Sequence, residues 1–327
     1  MNSRNDSVDV LRWLALTGII IVHSEPSVFW QQIRSFDVPL MVIISAFCFA
    51  NGKRVVNKKQ YYFKRFVRLL VPSWIFLFFY FFVSYLLGEE IEMTTVISRF
   101  SLITSWYLWI VRVLFGMALI APFLLSLSES LSPRHIIMVC IALLIITELL
   151  SLVSDNYYYI VIIMFIPYIV YYILGVNIKK VSEKNILRFG VASLFTYVII
   201  AFFLAYSNNG YVLTGLYKYP PLIYYSSYAL GMSSILWYYK DRIVSLLEKI
   251  RLRQFAVFVG SHTFWIYLWH IPIVDYMIKR YDSLICFVAA YLFPIIIVYI
   301  QTMFINYCNT FIKNPKIPKY LKMIFIG

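Results

Sequence analysis

Charged residues are scarce in this sequence: they make up 13% of its 327 residues and gather in short clusters between apolar runs. A soluble helical protein would spread its charges along the polar faces of its helices. Hydrophobic residues amount to 62% and the mean hydropathy is +0.78, whereas a soluble domain has roughly 45–50% apolar residues. The composition excludes a water-soluble fold and makes the bilayer the expected solvent.

Cysteine, histidine and glycine are also few, at 4, 4 and 11 residues. The cysteines lie in apolar runs without CxxC spacing or paired histidines, which favours small core residues over a zinc site or a disulfide framework. We therefore expect no metal. The low glycine content argues against the helices broken at the midplane that many transporters use.

Long apolar runs are what the sequence has instead. A run of about 17 to 25 residues is long enough to cross about 30 Å of hydrocarbon as a helix. The sequence therefore predicts a single all-α domain over residues 1–327, a polytopic membrane protein with about ten transmembrane helices. The expected spans are 8–24, 36–51, 67–87, 106–127, 135–153, 157–176, 188–206, 222–239, 256–277 and 284–312.

The lysines and arginines favour alternate loops. With a cytoplasmic N-terminus, 22 lie in inside segments, 5 in outside loops and 2 within spans, which accounts for all 29. The positive-inside rule explains this bias, and it predicts that both termini are cytoplasmic. It also explains the net charge of +14 without a nucleic-acid partner.

The first span carries two ionisable side chains, Arg12 and His23. Their separation of eleven residues amounts to about three turns plus roughly 20°, so both project from one face, about 16 Å apart along the axis. Ionisable groups are costly inside a membrane, which makes each a functional candidate. The spacing equally allows Arg12 to reach cytoplasmic headgroups and His23 to be interfacial.

A basic pair begins the third span. Arg65 and Arg68 are three residues apart and share a helix face, and guanidinium groups suit phosphate oxygens. They are candidates for binding a phosphorylated cytosolic ligand. The alternative, topogenic charges that meet lipid phosphates, carries more weight on composition alone.

Three more ionisable residues lie near the predicted outer ends of other spans: Arg112, Glu148 and His270. The topology assigns them the depth of His23, as expected of an acid–base site open to the outer face. For Arg112 and Glu148, a buried ion pair that fixes helix packing is an equal alternative. His135 and His262, near cytoplasmic helix ends, receive no role.

These segments together resemble the acyltransferase 3 family of bacterial membrane acyltransferases, over nearly the whole chain. The similar motifs, in chain order, are Val8-Asp9-Val10-Leu11-Arg12 through His23, Val38-Pro39-Leu40 leading to Ser45, Arg65-x-x-Arg68 with Pro72, Trp106-Tyr107-Leu108-Trp109, and Ile266-Tyr267-Leu268-Trp269-His270. One departure is visible: Ser45-Ala46 stands where the family usually has Ser-Gly.

The resemblance implies an O-acyltransferase that moves an acyl group from cytosolic acyl-CoA to a sugar hydroxyl of an extracytoplasmic or lipid-linked polysaccharide. Acetyl is the default group and succinyl the alternative. Arg65 and Arg68 would hold the nucleotide phosphates of CoA, with Arg12 deeper along the pantetheine path. His23 would act as general base or carry the acyl group, since its unperturbed pKa is near neutral.

The remaining candidates receive weaker roles. Glu148 would orient the His23 imidazole, and His270 and Arg112 would belong to the acceptor site. We expect a multi-pass protein of the cytoplasmic membrane, with membrane lipids and the glycan acceptor as partners. No stretch is long or polar enough for a soluble domain, so an extracytoplasmic transferase or polysaccharide-synthesis machinery is expected on a separate chain.

Two other functions are compatible with the residues. A transporter or flippase of a lipid-linked or polymeric glycan would use the same basic residues for pyrophosphate and the same central path for sugar. A scaffold for a polysaccharide synthase would use the buried charges for helix packing alone. Loss of glycan export, rather than loss of its ester, would favour the transporter.

Overall fold

A computed structural model describes residues 5–52, 55, 57–104, 106–312 and 316–326 of the chain. The structure is 82% helical, and the described residues form no β-strand, which confirms the all-α prediction. The helices are α1 (Asp6–His23), α2 (Val28–Ile33), α3 (Asp37–Ala50), α4 (Lys58–Leu86), α5 (Met93–Phe100), α6 (Trp109–Ser130), α7 (Pro133–Ser151), α8 (Tyr157–Ile163), α9 (Phe165–Asn177), α10 (Glu183–Ser207), α11 (Ile223–Lys249), α12 (Arg253–Ser261), α13 (Thr263–Met277), α14 (Ser283–Thr310) and α15 (Lys316–Phe325).

Seven segments of the described chain are long and apolar enough to cross a membrane. They are Val28–Ala50, Lys58–Leu86, Trp109–Ser130, Pro133–Ser151, Tyr157–Lys180, Glu183–Ser207 and Ser283–Thr310. Helices α12 and α13 add an eighth if they form one bent span. The protein is therefore a multi-pass membrane protein with seven to eight candidate spans, compared with about ten expected from the sequence.

The other two expected spans, 8–24 and 222–239, form helices α1 and α11 but are less apolar. Helix α1 carries Asp6, Asp9 and Arg12, and the first half of α11 is rich in serine and tyrosine. Both helices bury long stretches of their sequence. A helix that is enclosed by protein can keep polar side chains that would be unstable in lipid. That α1 and α11 cross the membrane is therefore a prediction from the sequence pattern alone.

The sidedness of the chain, which rests on the distribution of lysine and arginine, stays a prediction. Four of the cations assigned to inside segments lie outside the described residues: Arg4, Lys53, Arg54 and Lys313.

The chain folds as two compact units. Unit 1 comprises Met1–Val22, Pro26–Lys53 and Ile120–Gly260, and unit 2 comprises His23–Glu25, Arg54–Leu119 and Ser261–Gly327. The expectation of a single domain over 1–327 is not tested by this division.

Unit 1 is built from closely packed helix pairs. Helix α3 packs along α9, and α10 along α11. A Cβ atom at Gly175 of α9 would overlap the Ile43 carbonyl of α3, and one at Gly260 of α12 would overlap the Asp9 carbonyl of α1. Glycine is needed at both positions because it alone allows backbones to approach this closely.

Unit 2 is held by α13, which packs along α14 and also contacts α4, and by α15, which contacts α4 and α14. The C-terminal helix is anchored by hydrogen bonds from side chains to its last carbonyls. Trp265 Nε1 donates to the Ile324 carbonyl (2.7 Å) and Gln301 Nε2 to the Phe325 carbonyl (2.6 Å). The first of these bonds joins α15 to α13, the helix that carries His270, and the second joins α15 to α14.

Candidate active site

Two of the predicted site residues meet in unit 2. His23, the last residue of α1, lies with its Nδ1 atom 2.7 Å from Nε2 of His270 on α13. The two rings are nearly parallel, at 12°, with centroids 5.0 Å apart. His270 is fully buried and His23 is partly exposed. The structure therefore forms a histidine pair with one partially accessible member.

The backbone of α13 sets the tautomers of this pair. Nδ1 of His270 makes a short hydrogen bond to the carbonyl of Tyr267, one turn earlier in the helix. A carbonyl can only accept, so this nitrogen carries a hydrogen. When His270 is neutral, its Nε2 must accept, and the Nδ1 of His23 must donate to it. A neutral His23 then has Nε2 as its proton-accepting nitrogen.

Two tyrosines enclose the histidine pair. The ring of Tyr107 meets that of His23 at 82°, with centroids 4.6 Å apart, and Tyr267 lies 6.5 Å from His23 between centroids. The Tyr267 hydroxyl donates a short hydrogen bond to the Tyr107 carbonyl. Aromatic neighbours at these distances restrict the ring orientations open to an imidazole.

A polar group that is not among the residues predicted from the sequence lies behind Tyr107. The carboxylate of Asp275 accepts hydrogen bonds from the hydroxyls of Tyr80 (2.9 Å) and Tyr107 (3.2 Å). A signal is present in the sequence, because Asp275 is an acidic residue inside the predicted span 256–277, and such residues are rare in membrane helices. Tyr107 itself stands in an aromatic segment, a pattern that is equally typical of an interfacial belt.

Arg112 and Glu148 have structural contacts. Arg112 Nη1 donates to the Leu102 carbonyl (3.0 Å), at a residue with φ of +60°, and so supports the turn that precedes α6. Glu148 accepts from the backbone N–H of Ile223, the first residue of α11. A carboxylate suits a helix N-terminus, where backbone N–H groups lack partners. The roles expected of both residues in catalysis stay predictions.

Arg12 lies in unit 1 with two nearby partners. Its Nη1 atom is 2.7 Å from Oδ1 of Asp9, and its Nη2 is 3.0 Å from Sγ of Cys48. Its side chain is 25% exposed, while that of Asp9 is 2% exposed. The ion pair neutralises a carboxylate that would otherwise be costly to bury.

The basic pair lies about two to three turns into α4, in unit 2. Asn57 caps this helix through a hydrogen bond from the Gln60 backbone N–H (3.0 Å). Arg65 is half-buried, with its guanidinium carbon 5.2 Å from the centroid of the Tyr61 ring, and Arg68 is exposed. The pair thus presents one supported and one solvent-accessible guanidinium in the first half of the helix.

The other two histidines have local partners. His135 Nδ1 lies 2.7 Å from the Ser132 hydroxyl, and His262 Nδ1 lies 2.7 Å from the Ser261 hydroxyl. Across the residues that the structure describes, no three His, Cys, Asp or Glu side chains converge as metal ligands would.

Comparison with known proteins gives one match. The sequence profile of the acyltransferase 3 family, described as an acyltransferase domain, matches residues 5–305. No curated protein and no solved structure matches the chain. The matched segment contains both halves of the histidine pair and the Arg65–Arg68 pair, and it covers well over half of the chain. The protein thus belongs to the acyltransferase 3 family and is a membrane acyltransferase.

Proposed function

We propose that this protein transfers an acyl group, acetyl by default, from cytosolic acyl-CoA to a sugar hydroxyl of an extracytoplasmic or lipid-linked glycan at the cytoplasmic membrane. The observation that carries the proposal is the hydrogen bond between His23 and His270. Family membership supports the reaction class, while donor and acceptor follow from the resemblance of the motifs.

His23 acts as the general base in this proposal. The chain from the Tyr267 carbonyl through His270 to His23 favours the tautomer in which His23 Nε2 accepts a proton. The acceptor hydroxyl gives its proton to this nitrogen while its oxygen attacks the thioester carbonyl. The C–O bond of the ester forms, the C–S bond breaks, and the CoA thiolate takes the proton from the His23 imidazolium. General base catalysis of this kind contributes about 10²- to 10⁴-fold in rate.

A covalent alternative uses the same nitrogen. His23 Nε2 attacks the thioester, CoA leaves as the thiolate, and the acyl-imidazole passes its acyl group to the sugar hydroxyl. The hydroxyl proton goes to the thiolate or to water. Trapping of an acylated His23 by rapid quench and mass spectrometry distinguishes this route from direct transfer.

The donor phosphates are assigned to the basic pair in the first half of α4. Arg65 and Arg68 share a face, and stacking on Tyr61 supports the Arg65 guanidinium for contact with phosphate oxygens. The resemblance assigns Arg12 to the pantetheine of the donor, and within unit 1 its guanidinium contacts Asp9 and Cys48.

The test is a comparison of His23→Ala with His135→Ala, a histidine that has no assigned role. We expect His23→Ala to abolish acylation, measured by mass spectrometry of surface glycans, with normal membrane insertion. His135→Ala should behave as the unaltered protein. Full acylation with His23→Ala would remove the mechanism, and loss of glycan export in a deletion strain would favour a transporter.

The donor assignment has its own measurement. In membrane vesicles supplied with acetyl-CoA or succinyl-CoA, Arg68→Gln should raise the KM for the donor about ten-fold, since a charge-assisted contact contributes roughly 1.5 kcal/mol. The value of kcat should change much less. An unchanged KM in the Arg65→Gln/Arg68→Gln double variant would contradict the assignment.

A further inference from the structure

Asp275 lies in a position that the proposed function leaves unexplained. It is five residues after His270 on α13, in a helix that is otherwise apolar in this half. Its carboxylate is partly buried, and burying a carboxylate in a membrane helix is costly without compensating partners. Such a residue needs either a structural or a functional explanation.

The two tyrosines that donate to the Asp275 carboxylate have different neighbours. Tyr80, on α4, donates to Oδ2 and packs with the Arg99 guanidinium, 5.4 Å from its ring centroid. Tyr107 donates to Oδ1, and its ring meets the His23 imidazole. One hydrogen bond therefore ties Asp275 to a basic, aromatic part of unit 2, and the other ties it to the histidine pair.

Positive charge near the carboxylate opposes the cost of its burial in part. Arg99 and Lys279 act on Asp275 electrostatically, and the Arg99 guanidinium lies 3.9 Å from the centroid of the Trp106 ring. These groups and the Tyr80 hydroxyl stabilise the carboxylate independently of Tyr107. The hydrogen bond from Tyr107 is an additional one, and it is the one that reaches His23.

Tyr107 is held at both ends. Its hydroxyl is fixed by Asp275 and its backbone carbonyl by the Tyr267 hydroxyl, while Tyr267 also supplies the carbonyl that binds His270. The ring between these two anchors is edge-to-face with the His23 imidazole. Movement of the Tyr107 ring would therefore release one side of the imidazole, while the bond to His270 would hold the other.

We propose that Asp275 is a positioning residue that acts through Tyr107 to hold the His23 imidazole in its reactive orientation. The inference rests on the proposed function, in which His23 receives the proton of the acceptor hydroxyl. Correct placement of a catalytic group is worth a large factor in rate, and a displacement of about 1 Å can cost about 10²-fold. Asp275 itself does not contact the reacting atoms.

The test compares two phenylalanine substitutions that each remove one hydroxyl from the same carboxylate. Tyr107→Phe keeps the ring against His23 but loses its anchor, whereas Tyr80→Phe loses an anchor that does not reach the histidine pair. Rates are measured in membrane vesicles that contain the acceptor, with acetyl-CoA and succinyl-CoA as donor probes. Protein content and folding are matched by fluorescence size-exclusion chromatography.

We expect Tyr107→Phe and Asp275→Asn to lower kcat roughly 10- to 100-fold with an unchanged KM for the donor. Tyr80→Phe should stay within about three-fold of the unaltered protein, because the second hydrogen bond still holds the carboxylate. The Asp275→Asn/Tyr107→Phe double variant should be no slower than the slower single variant, because both changes release the same ring.

Thermal stability in detergent separates positioning from a general structural role. Tyr107→Phe and Tyr80→Phe should unfold at similar temperatures, because each removes one hydroxyl from the same carboxylate. A loss of thermal stability specific to Tyr107→Phe, or equal losses of kcat for Tyr80→Phe and Tyr107→Phe, would show a structural role and overturn the inference. A normal kcat with Tyr107→Phe beside an inactive His23→Ala would remove the inference and leave the proposed function standing. A fully active His23→Ala would remove the proposed function itself.

Discussion

Unit 1 and unit 2 each bury a group of polar side chains, and the two groups are built from different chemistry. In unit 1, Arg34 and Asp37 form an ion pair at 2.9 Å, with side chains 9% and 0% exposed. In unit 2, His23 and His270 are linked by a hydrogen bond between imidazoles that can both be neutral. One group holds fixed charges and the other holds a proton that can move.

The carboxylate of the unit 1 ion pair lies at the start of a helix. Asp37 is the first residue of α3, and its second carboxylate oxygen accepts from the Val38 backbone N–H (2.6 Å). Negative charge is favourable at a helix N-terminus, so both oxygens have stabilising partners. Arg34 lies between the predicted spans 8–24 and 36–51, yet the structure buries it in the candidate span Val28–Ala50. An ion pair between two such buried side chains fixes packing.

The histidine pair of unit 2 has the opposite property. A proton that arrives at His23 can be stabilised by a neutral neighbour, and the pair can return to its starting tautomers when the proton leaves. A fixed ion pair could not do this, because a change of protonation would leave an uncompensated buried charge. The difference indicates which cluster is suited to catalysis.

The largest expected effect concerns the ion pair. Asp37→Ala leaves the buried Arg34 guanidinium without its carboxylate, and breaking a buried pair costs about 3–5 kcal/mol. We expect a large fall in thermal stability in detergent, with kcat of the remaining folded protein within about two-fold. The Arg34→Met/Asp37→Leu double variant should recover most of the stability. A stable but inactive Asp37→Ala would reverse the comparison between the units.

A somewhat smaller effect is expected at Lys218, in the loop before α11. Burial, opposed by the nearby Asp37 and reinforced by Arg34, lowers the pKa of Lys218 to about 8. The folded protein therefore releases this proton at a lower pH than the unfolded chain, whose lysine has the ordinary value of 10.5. The difference corresponds to about 3 kcal/mol at about 1.36 kcal/mol per pH unit.

The sign of the pH dependence follows. The unfavourable contribution of Lys218 is fully present below pH 8, where both states carry the proton, and it declines as the pH rises from about 8 to about 10.5. Lys218→Met should therefore raise the free energy of unfolding at pH 7 by more than it does at pH 10. The measurement is thermal unfolding of both proteins across this range. A constant difference between them would contradict the assignment of the pKa.

Part of this picture could be predicted from the sequence. Hydropathy predicts the helices because lipid requires long apolar surfaces, and the cost of burying ionisable groups singles out His23 and His270. The number of membrane spans is harder to predict from the sequence. A window of hydropathy averages over the break at His262 between α12 and α13, and it cannot distinguish a lipid-facing helix from one enclosed by protein, such as α11.

Other parts of the site were beyond sequence reasoning for a physical reason. Glu148 binds the backbone N–H of Ile223, which is 75 residues away in the chain. Helix periodicity does not predict such long-range pairs. Tyr107 has the sequence context of an interfacial aromatic, so only the position of its ring beside His23 distinguishes it. Spacing predicts faces and depths, while partners across the fold require the structure.

The smallest of these effects is expected at His270. It is also the most direct test of the difference between the histidine pair and the ion pair. His270→Leu removes the acceptor for the Nδ1 hydrogen of His23 at a similar volume, and we expect kcat to fall roughly 100-fold because the tautomer and orientation of His23 are no longer fixed. That loss corresponds to about 2.7 kcal/mol, at about 1.36 kcal/mol per ten-fold change in rate. His270→Gln offers an amide oxygen that can accept the same hydrogen bond, so it should be faster than His270→Leu. His135→Ala serves as the control in the same vesicles. Equal rates for the leucine and glutamine variants would show that His270 only fills space. Its role would then be structural, like that of the ion pair in unit 1, and the two clusters would not differ in function.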